Sequence, residues 1–178
     1  REFAQKYLPE YELFKIVEQL YQVVPPILKD LNKTGVTMFK MNSGVDTGSV
    51  IAQIEIPLNN QMTATKLYNQ VVKAHSQLIK NMTKSILNGK LKFTPQDNSK
   101  ATMWPGRKPE DGEINLNGSV YDAEKLVRAV THPYPGAFYI KNGYKHYVWS
   151  AKVLKGSDKD TKNTNKLKFN DGVLLILN

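Results

Sequence analysis

The apolar pattern of residues 49–87 changes its period at Pro57, and this change limits the possible folds more than any other feature of the chain. Before the proline, SVIAQIEI alternates with the period of two that is typical of a strand, with Val50, Ala52, Ile54 and Ile56 on one side. After it, apolar residues recur at helical spacing, at Leu67, Val71, Ala74, Leu78, Met82 and Ile86. Thr63 can cap this helix and Gly89 can end it. We therefore predict an α/β fold in which a strand leads into a long helix over residues 64–87.

Two further elements are predicted before this strand. Apolar residues at helical spacing predict an amphipathic helix over residues 10–24 that ends at Pro25-Pro26, with one stripe formed by Leu13, Phe14, Val17, Leu20, Tyr21 and Val24. The stretch GVTMFKM, residues 35–41, is typical of a strand. The loop at residues 42–48 should therefore join two strands.

The second half of the chain is predicted to hold a long loop, a helix and several strands. Residues 93–119 are too rich in Pro, Gly and Asn for regular structure over their whole length, and loops of this size usually carry function. Ser119 can cap a helix whose core-facing positions are Val120, Ala123, Leu126, Val127 and Val130. Asn142-Gly143 predicts a hairpin with a type I′ turn, and Asp171-Gly172 predicts a turn between closing strands.

We predict a cytoplasmic protein without disulfides, membrane spans or a metal site. The 178 residues contain no cysteine, which fits a reducing compartment, and 40% are apolar, which is enough for one domain core. The longest apolar runs are far shorter than the roughly 20 residues that a membrane-spanning helix needs. The net charge of +9 suits a polyanionic ligand such as a nucleic acid, a nucleotide diphosphate or a polyglutamylated cofactor, but it selects none of them.

The loop between the two predicted strands contains Asp46-Thr47-Gly48-Ser49, a tetrapeptide that aspartic proteases place at their paired carboxylates. Only one copy occurs here, although a homodimer could supply the second. Proteases of the retroviral type are almost entirely β-sheet, whereas long helices are predicted on both sides of this loop. The surrounding pattern therefore excludes a protease. Taken alone, the loop also fits an Asx-type turn with a solvated carboxylate.

Four stretches, in this order, make the chain resemble the folate-dependent formyltransferases, which include methionyl-tRNA formyltransferase and the nucleotide-sugar N-formyltransferases. They are TGVTMFKMNSGVDTGSVIAQIEIPL, ATMWPGRKPEDGEINL, LVRAVTHPYPGAF and YVWSAKV, and they span about residues 34–153. The resemblance implies the C-terminal part of a Rossmann-like formyltransferase domain in residues 1–118, followed by a small β-hairpin subdomain in residues 119–178. It also implies the transfer of a formyl group from N10-formyltetrahydrofolate to a primary amine.

The resemblance also implies a role for Asp46. In the family an Asn and a protonated His stabilise the oxyanion, and an Asp orients the His and raises its pKa. Asp46 matches that Asp, and Gly44 and Gly48 would let the backbone bend tightly around its carboxylate. We expect Asp46 to line a cleft that faces residues 101–118.

The chain departs from the family at the Asn-x-His pair, which in the family precedes a Leu-Pro-x-Tyr element. Aligning that element with YLPEY, residues 7–11, places Glu2 and Ala4 at the Asn and His positions. All three histidines follow Asp46 in the chain, namely His75, His132 and His146. The chain is therefore expected to be an incomplete formyltransferase that lacks the N-terminal half of the family domain.

Three functions remain open under this resemblance. Too few residues follow Ala151 for the C-terminal β-barrel of the tRNA enzyme, so a nucleotide-linked amino sugar is preferred over methionyl-tRNA as the acceptor. The third reading is a non-catalytic binding module of the same fold. An aromatic ring can stack on a base and cations can pair with a diphosphate, so Trp104, Arg107 and Lys108 are candidate substrate-binding residues. Gln53 is a fourth candidate. We leave the oligomeric state open, with a homodimer as one possibility.

Overall fold

The computed structural model describes residues 14–17, 23–154 and 165–177. In chain order these residues form β1 (Phe14–Val17), α1 (Val24–Leu28), β2 (Lys33–Lys40), β3 (Val50–Pro57), α2 (Ala64–Leu87), α3 (Val120–Val130), β4 (Ala137–Lys141), β5 (Tyr144–Val148), β6 (Ala151–Leu154), β7 (Lys166–Phe169) and β8 (Gly172–Ile176). Short 3₁₀ turns lie at Asn98–Lys100 and Pro109–Gly112. Over the described ranges, no helix has both the length and the apolar character needed to cross a membrane.

The described residues divide into two compact units. The first unit holds residues 14–17, 35–56 and 71–103. The second unit holds residues 23–34, 57–70, 104–154 and 165–177. Helix α2 contributes residues to both units.

The first unit is built on a three-stranded sheet in the order β1-β2-β3. Strand β1 runs antiparallel to β2, with Phe14 opposite Lys40 and Val17 opposite Thr37. The predicted strands on either side of the Asp46 loop are confirmed as β2 and β3. The buried apolar residues of this unit are Val36, Met38, Phe39, Ile56, Val71, Ala74 and Leu78.

The predicted helix over residues 10–24 is wrong where the structure describes it. Phe14–Val17 form strand β1, and Pro25 and Pro26 lie in the first turn of α1 instead of following the end of a helix. Proline is tolerated in the first turn because the N–H that it lacks would have no helical partner there. The edge of β2 offers backbone groups for pairing, and this pairing overrides the helical spacing of the sequence. The other residues of 10–22 lie outside the described part.

Helix α2 confirms the prediction for residues 64–87 and for both of its ends. The N–H of Lys66 donates to the hydroxyl of Thr63 at 3.3 Å, as a capping residue requires. At the other end Gly89 has a φ of 64°, and the N–H of Lys90 donates to the carbonyl of Ser85 at 2.9 Å. This is the hydrogen bond of a glycine-terminated helix, and glycine enters this region of φ without the steric cost of a side chain.

The second unit combines α1 and α3 with two small sheets. Helix α3 contacts α1, β4, β6 and β8. Strands β4 and β5 form one antiparallel sheet, and β6, β8 and β7 form a three-stranded sheet with β8 in the centre. The buried apolar residues include Val24, Ile27, Val120, Val127, Val148 and Leu174.

Both predicted turns of the second unit are confirmed. Asn142 and Gly143 have φ values of 54° and 79° between β4 and β5, as a type I′ turn requires. The second turn consists of Asn170 and Asp171 between β7 and β8, one residue earlier than predicted, because Gly172 already pairs with Phe169 as the first residue of β8. Because β8 pairs on both of its edges, the end of the chain forms a third sheet in addition to the predicted hairpin.

Asp171 fastens this last turn to the start of α3. Its carboxylate accepts a hydrogen bond from the hydroxyl of Ser119 at 2.6 Å and one from the N–H of Val120 at 2.9 Å. The Ser119 hydroxyl also accepts the N–H of Tyr121 at 3.2 Å, which confirms the predicted cap. The hydrogen bond from Ser119, followed by the one from Val120, lowers the pKa of Asp171 below its ordinary value.

We expect Asp171→Asn to destabilise the protein at neutral pH and to have little effect in acid. A carboxyl group whose pKa is lower in the folded state stabilises that state above its unfolded pKa, and the contribution is lost as the pH falls through its folded pKa. The wild-type and variant free energies of unfolding in urea should therefore converge as the pH falls from 7 to about 3. A difference that stays constant over this range would contradict the role of the ionised carboxylate.

Candidate functional site

The Asp46 loop, defined as residues 41–49, connects β2 to β3 in the first unit. The N–H of Lys40 donates to the carbonyl of Ser49 at 2.9 Å where the strands enter and leave the loop. Within the loop, the side-chain oxygen of Asn42 accepts hydrogen bonds from the N–H of Gly44 at 3.1 Å and the hydroxyl of Thr47 at 2.9 Å. Asp46 itself is exposed. The loop therefore presents a carboxylate to solvent on an internally bonded turn.

The backbone geometry of the loop explains two of its residue types. Asp46 has a φ of 55°, in the left-handed region that aspartate and asparagine enter more readily than most residues. A Cβ atom at Gly48 would lie 1.5 Å from the carbonyl oxygen of Lys40, and one at Gly44 would lie 2.1 Å from the hydroxyl of Thr47. Position 48 therefore has no room for a side chain, because the β2 backbone passes directly beside it.

Gln96 contacts the same loop from a later part of the chain. Its side-chain amide donates hydrogen bonds to the carbonyl of Asp46 at 2.8 Å and to the carbonyl of Gly48 at 2.6 Å. The segment that carries Gln96 is attached to the sheet, since Thr94 and Val50 exchange two backbone hydrogen bonds of 2.8 Å. The loop is thus held by its own side chains and by the segment of Thr94 and Gln96, which the sequence did not predict to pair with the sheet.

Gln53 lies on β3, after the loop and in the same unit as Asp46. Its side-chain amide donates to the hydroxyl of Thr37 on β2 at 2.7 Å, and the residue is exposed. This cross-strand hydrogen bond holds the Gln53 side chain on the sheet surface. Gln53 is therefore a fixed polar group of the first unit.

The second unit contains a pocket of about 160 Å³ beside the loop that precedes α3. Arg107 and Lys108 supply its charged lining, and Gly112 and Gly136 bring backbone to its wall. The apolar part of the lining comes from Val24, Pro109, Val130, Tyr134 and Pro135. The predicted cations of residues 101–118 thus lie together at one concave site.

Two hydrogen bonds shape the charged side of this pocket. The guanidinium of Arg107 donates to the carbonyl of Asp111 at 2.7 Å, and the carboxylate of Asp111 accepts the N–H of Lys108 at 2.7 Å. A guanidinium carries five N–H donors, and the bond to Asp111 uses one of them. Both Arg107 and Lys108 are exposed, so their charges are accessible from solvent.

Close backbone packing forms the opposite wall of the pocket. A Cβ atom at Gly112 would lie 2.6 Å from the carbonyl oxygen of Gly136. Gly136 has a φ of 91°, and a Cβ there would lie 2.8 Å from the ring of Trp149. The Trp149 ring is stacked on His132, with 4.0 Å between the ring centres. Small residues are therefore required where the two loops meet.

Trp104 belongs to the second unit but lies outside the lining of this pocket. It is half-buried, and the ammonium of Lys29 lies 5.9 Å from the centre of its ring. A cation at that distance interacts favourably with an indole ring. Trp104 therefore has a local partner in the same unit.

The structure brings the predicted site residues together in two groups. Asp46 and Gln53 lie in the first unit together with Gly44 and Gly48, and Arg107 and Lys108 share a pocket in the second. That Asp46 faces residues 101–118 stays a prediction. The two residues aligned with the family's Asn and His, Glu2 and Ala4, lie outside the described residues.

The histidines have separate environments. His132 stacks on Trp149 and His146 stacks on Tyr139, with 5.1 Å between the latter two rings. His75 is a half-buried residue of α2. Among the described residues, no group of His, Asp and Glu side chains is arranged to hold a metal ion.

Gln96 is the site residue that sequence reasoning missed. It lies 50 and 48 positions from the two residues whose carbonyls it contacts. A side chain that bonds to distant backbone leaves no periodic trace in the sequence, and Gln96 is one polar residue among many in its loop. Its only local signal was the extended character of FTPQ, which favours pairing beside a strand.

Comparison with known proteins places this geometry in a family. The family described as "Formyl transferase" matches residues 27–83, which include the Asp46 loop. The one described as "Formyl transferase, C-terminal domain" matches residues 107–177, which include the lining of the second-unit pocket except Val24. The two matches follow each other in chain order and together cover most of the chain.

Solved structures give the same fold. HypX from Aquifex aeolicus in complex with tetrahydrofolic acid has a TM-score of 0.75 and 19% identity over 99% of this chain and 33% of its own. WlaRD, a sugar 3N-formyl transferase solved with dTDP and 5-N-formyl-THF, has a TM-score of 0.67 and 22% identity over 92% and 64%. An N-formyltransferase from Helicobacter canadensis, complexed with folinic acid and dTDP-3-aminofucose, has a TM-score of 0.63 and 21% identity over 95% and 62%.

The chain therefore spans about a third of HypX and less than two thirds of the two sugar enzymes. Its α/β architecture and its small sheets are those of the formyltransferase fold. With both family patterns present in order, and the Asp46 loop and most of the lining of the second-unit pocket inside them, the chain belongs to the formyl transferase family.

Proposed function

We propose that the protein transfers a formyl group from N10-formyltetrahydrofolate to the primary amine of a nucleotide-linked amino sugar, with Asp46 as a catalytic residue. The observation that carries the proposal is the exposed carboxylate of Asp46 on a loop held by Gln96 and closed by Gly48. This residue also matches the catalytic Asp of the family that the chain resembles. An accessible carboxylate on a held backbone suits a group that must orient a protonated donor.

The reaction needs one bond exchange and one net proton transfer. The acceptor amine forms a bond to the formyl carbon, and the bond between that carbon and N10 of the folate breaks. The amine loses a proton and N10 gains one, so the products are a formamide and tetrahydrofolate. The folate co-substrate supplies the formyl carbon at the oxidation level of the product, so no oxidant or reductant is required.

The role of Asp46 in this exchange is electrostatic. An ionised carboxylate within hydrogen-bond reach of a protonated donor favours its charged form and fixes its direction. The donor can then stabilise the negative charge that develops on the formyl oxygen when the amine attacks. Because the Asp46 turn is held at Asp46 and at Gly48, the backbone that carries the carboxylate would not have to be ordered during the reaction.

The pocket of the second unit supports this class of acceptor. Arg107 and Lys108 present accessible cations beside an apolar wall, which suits a diphosphate joined to a nucleoside and a sugar. Trp104 supplies an aromatic ring in the same unit. The dTDP and the dTDP-sugar in the two related sugar enzymes support the same class of acceptor.

We expect removal of the two pocket cations to weaken nucleotide-sugar binding. In the complete protein, Arg107→Ala combined with Lys108→Ala should raise Kd for a dTDP-linked amino sugar by about 10- to 100-fold, because charge-assisted hydrogen bonds to phosphate would be lost. Titration calorimetry measures this directly. The matched control replaces Lys152 and Lys168, two exposed lysines of the same unit, and should leave Kd nearly unchanged.

The same titration separates the proposed acceptor from the alternatives. Binding of an initiator-type tRNA would be recognised by a steep fall in affinity with salt, since many phosphates are neutralised at once. Tight tRNA binding without nucleotide-sugar binding would assign the protein to the tRNA branch. Binding of folate without either acceptor would favour a non-catalytic module.

A further inference from the structure

We propose that Gln96 is a positioning residue for Asp46, because its side-chain amide holds the backbone at the carbonyl of Asp46 and at that of Gly48, two residues later. This inference rests on the proposed role of Asp46 in formyl transfer. It adds a residue that touches neither substrate and acts only through the loop.

The chemistry of the contact fixes how Gln96 is oriented. A backbone carbonyl can accept a hydrogen bond but cannot donate one, so the atom that meets both carbonyls must be a donor, and an NH₂ group can offer one hydrogen to each. The NH₂ group of Gln96 meets that requirement, with distances of 2.8 Å to Asp46 and 2.6 Å to Gly48. An apolar side chain of similar length would fill the space but would provide neither bond.

The position of Gln96 is in turn fixed by the sheet. Thr94, two residues earlier, exchanges a pair of 2.8 Å backbone hydrogen bonds with Val50 at the start of β3. The Gln96 amide thus links the sheet to the exposed turn, where Asp46 has a φ of 55°. A left-handed residue in an exposed loop is held in place by its surroundings, and Gln96 supplies two of the contacts that do so.

The first test compares Gln96→Ala and Gln96→Met with the matched control Gln77→Ala in the complete protein. Gln77 is an exposed glutamine of the same unit whose amide donates to the side chain of Asn81 on α2. We expect kcat for formyl transfer to fall about 10- to 100-fold in both Gln96 variants, as a small misplacement of a catalytic group does. KM for the acceptor and Kd for the folate should stay within about twofold, because uniform binding is not affected.

The second test is a double-mutant cycle with Asp46→Asn. If Gln96 acts through Asp46, adding Gln96→Met to Asp46→Asn should lower kcat no further, so that the two effects are strongly non-additive. Additive losses would overturn the inference, and so would an unchanged kcat in Gln96→Met. A fall in Tm with kcat preserved would also overturn it, since it would assign Gln96 to stability alone.

A readout independent of turnover separates this inference from the proposed function. Backbone ¹⁵N relaxation of residues 44–48 should show order parameters falling from about 0.85 toward 0.6 in Gln96→Met, with Gln77→Ala like the wild type. If the wild-type protein transferred no formyl group, the proposed function would fail while these order parameters still decided whether Gln96 holds the loop. Unchanged order parameters in Gln96→Met would overturn the inference in either case.

Discussion

Replacing Asp46 by asparagine should lower kcat for formyl transfer about a thousandfold while the protein stays folded. Asparagine keeps the shape of the side chain and enters the left-handed region as readily as aspartate, so the φ of 55° can be retained. What it loses is the negative charge that would orient and stabilise a protonated donor. Because Asp46 is exposed, the free energy of unfolding should change by less than about 1 kcal/mol. Steady-state kinetics and urea unfolding measure the two effects on one sample.

Asp122→Asn is the matched control for this substitution. Asp122 is also exposed and undergoes the same loss of charge. It lies on α3 in the second unit, where its carboxylate is 3.8 Å from the ammonium of Lys125. A turnover number within about twofold of wild type is expected for Asp122→Asn. Equal losses in both variants would show that Asp46 has no specific role.

Replacing Gly48 by alanine should be the most damaging single change to the Asp46 loop. The added Cβ would lie 1.5 Å from the carbonyl oxygen of Lys40, far inside the contact distance of the two atoms. The backbone of β2 or of the loop must move, which breaks the hydrogen bond from Gln96 to the Gly48 carbonyl. We expect the free energy of unfolding to fall by about 2 to 3 kcal/mol and kcat to fall at least 100-fold.

Gly106→Ala is the control for this prediction, since a Cβ at Gly106 meets no atom within 4 Å. Its stability should match the wild type to within about 0.5 kcal/mol. Thermal unfolding of both variants checks the stability effect, and turnover checks the effect on the loop. A Gly48→Ala protein with wild-type stability and turnover would show that the loop tolerates a different course of the backbone.

The elements that sequence reasoning predicted share a local cause. Helix α2 is predicted by its apolar spacing, by Thr63 at its start and by Gly89 at its end. The hairpin at Asn142-Gly143 depends on two residues that enter the left-handed region easily. In each case the residues that determine the element lie within it or at its ends, so the sequence pattern is sufficient to predict it.

The features that could not be predicted from the sequence depend on contacts between distant parts of the chain. Residues 14–17 carry a helical spacing but pair with β2, because the sheet edge offers hydrogen-bond partners that the local pattern cannot show. The bonds of Gln96 to the Asp46 loop and of Asp171 to α3 join parts of the chain about 50 residues apart. The resemblance identified Asp46, but no pattern in the sequence identified the groups that hold it.

Formyl transfer to an amino sugar with the help of Asp46 can be tested directly on the complete protein. In the most direct measurement, the complete protein is incubated with N10-[¹³C]formyltetrahydrofolate and a dTDP-linked amino sugar. Both products are then followed by mass spectrometry. We predict a labelled formamide on the sugar and an equal amount of tetrahydrofolate, with both nearly absent for Asp46→Asn. Release of tetrahydrofolate without a labelled sugar, or labelled sugar formed equally well by Asp46→Asn, would contradict the account.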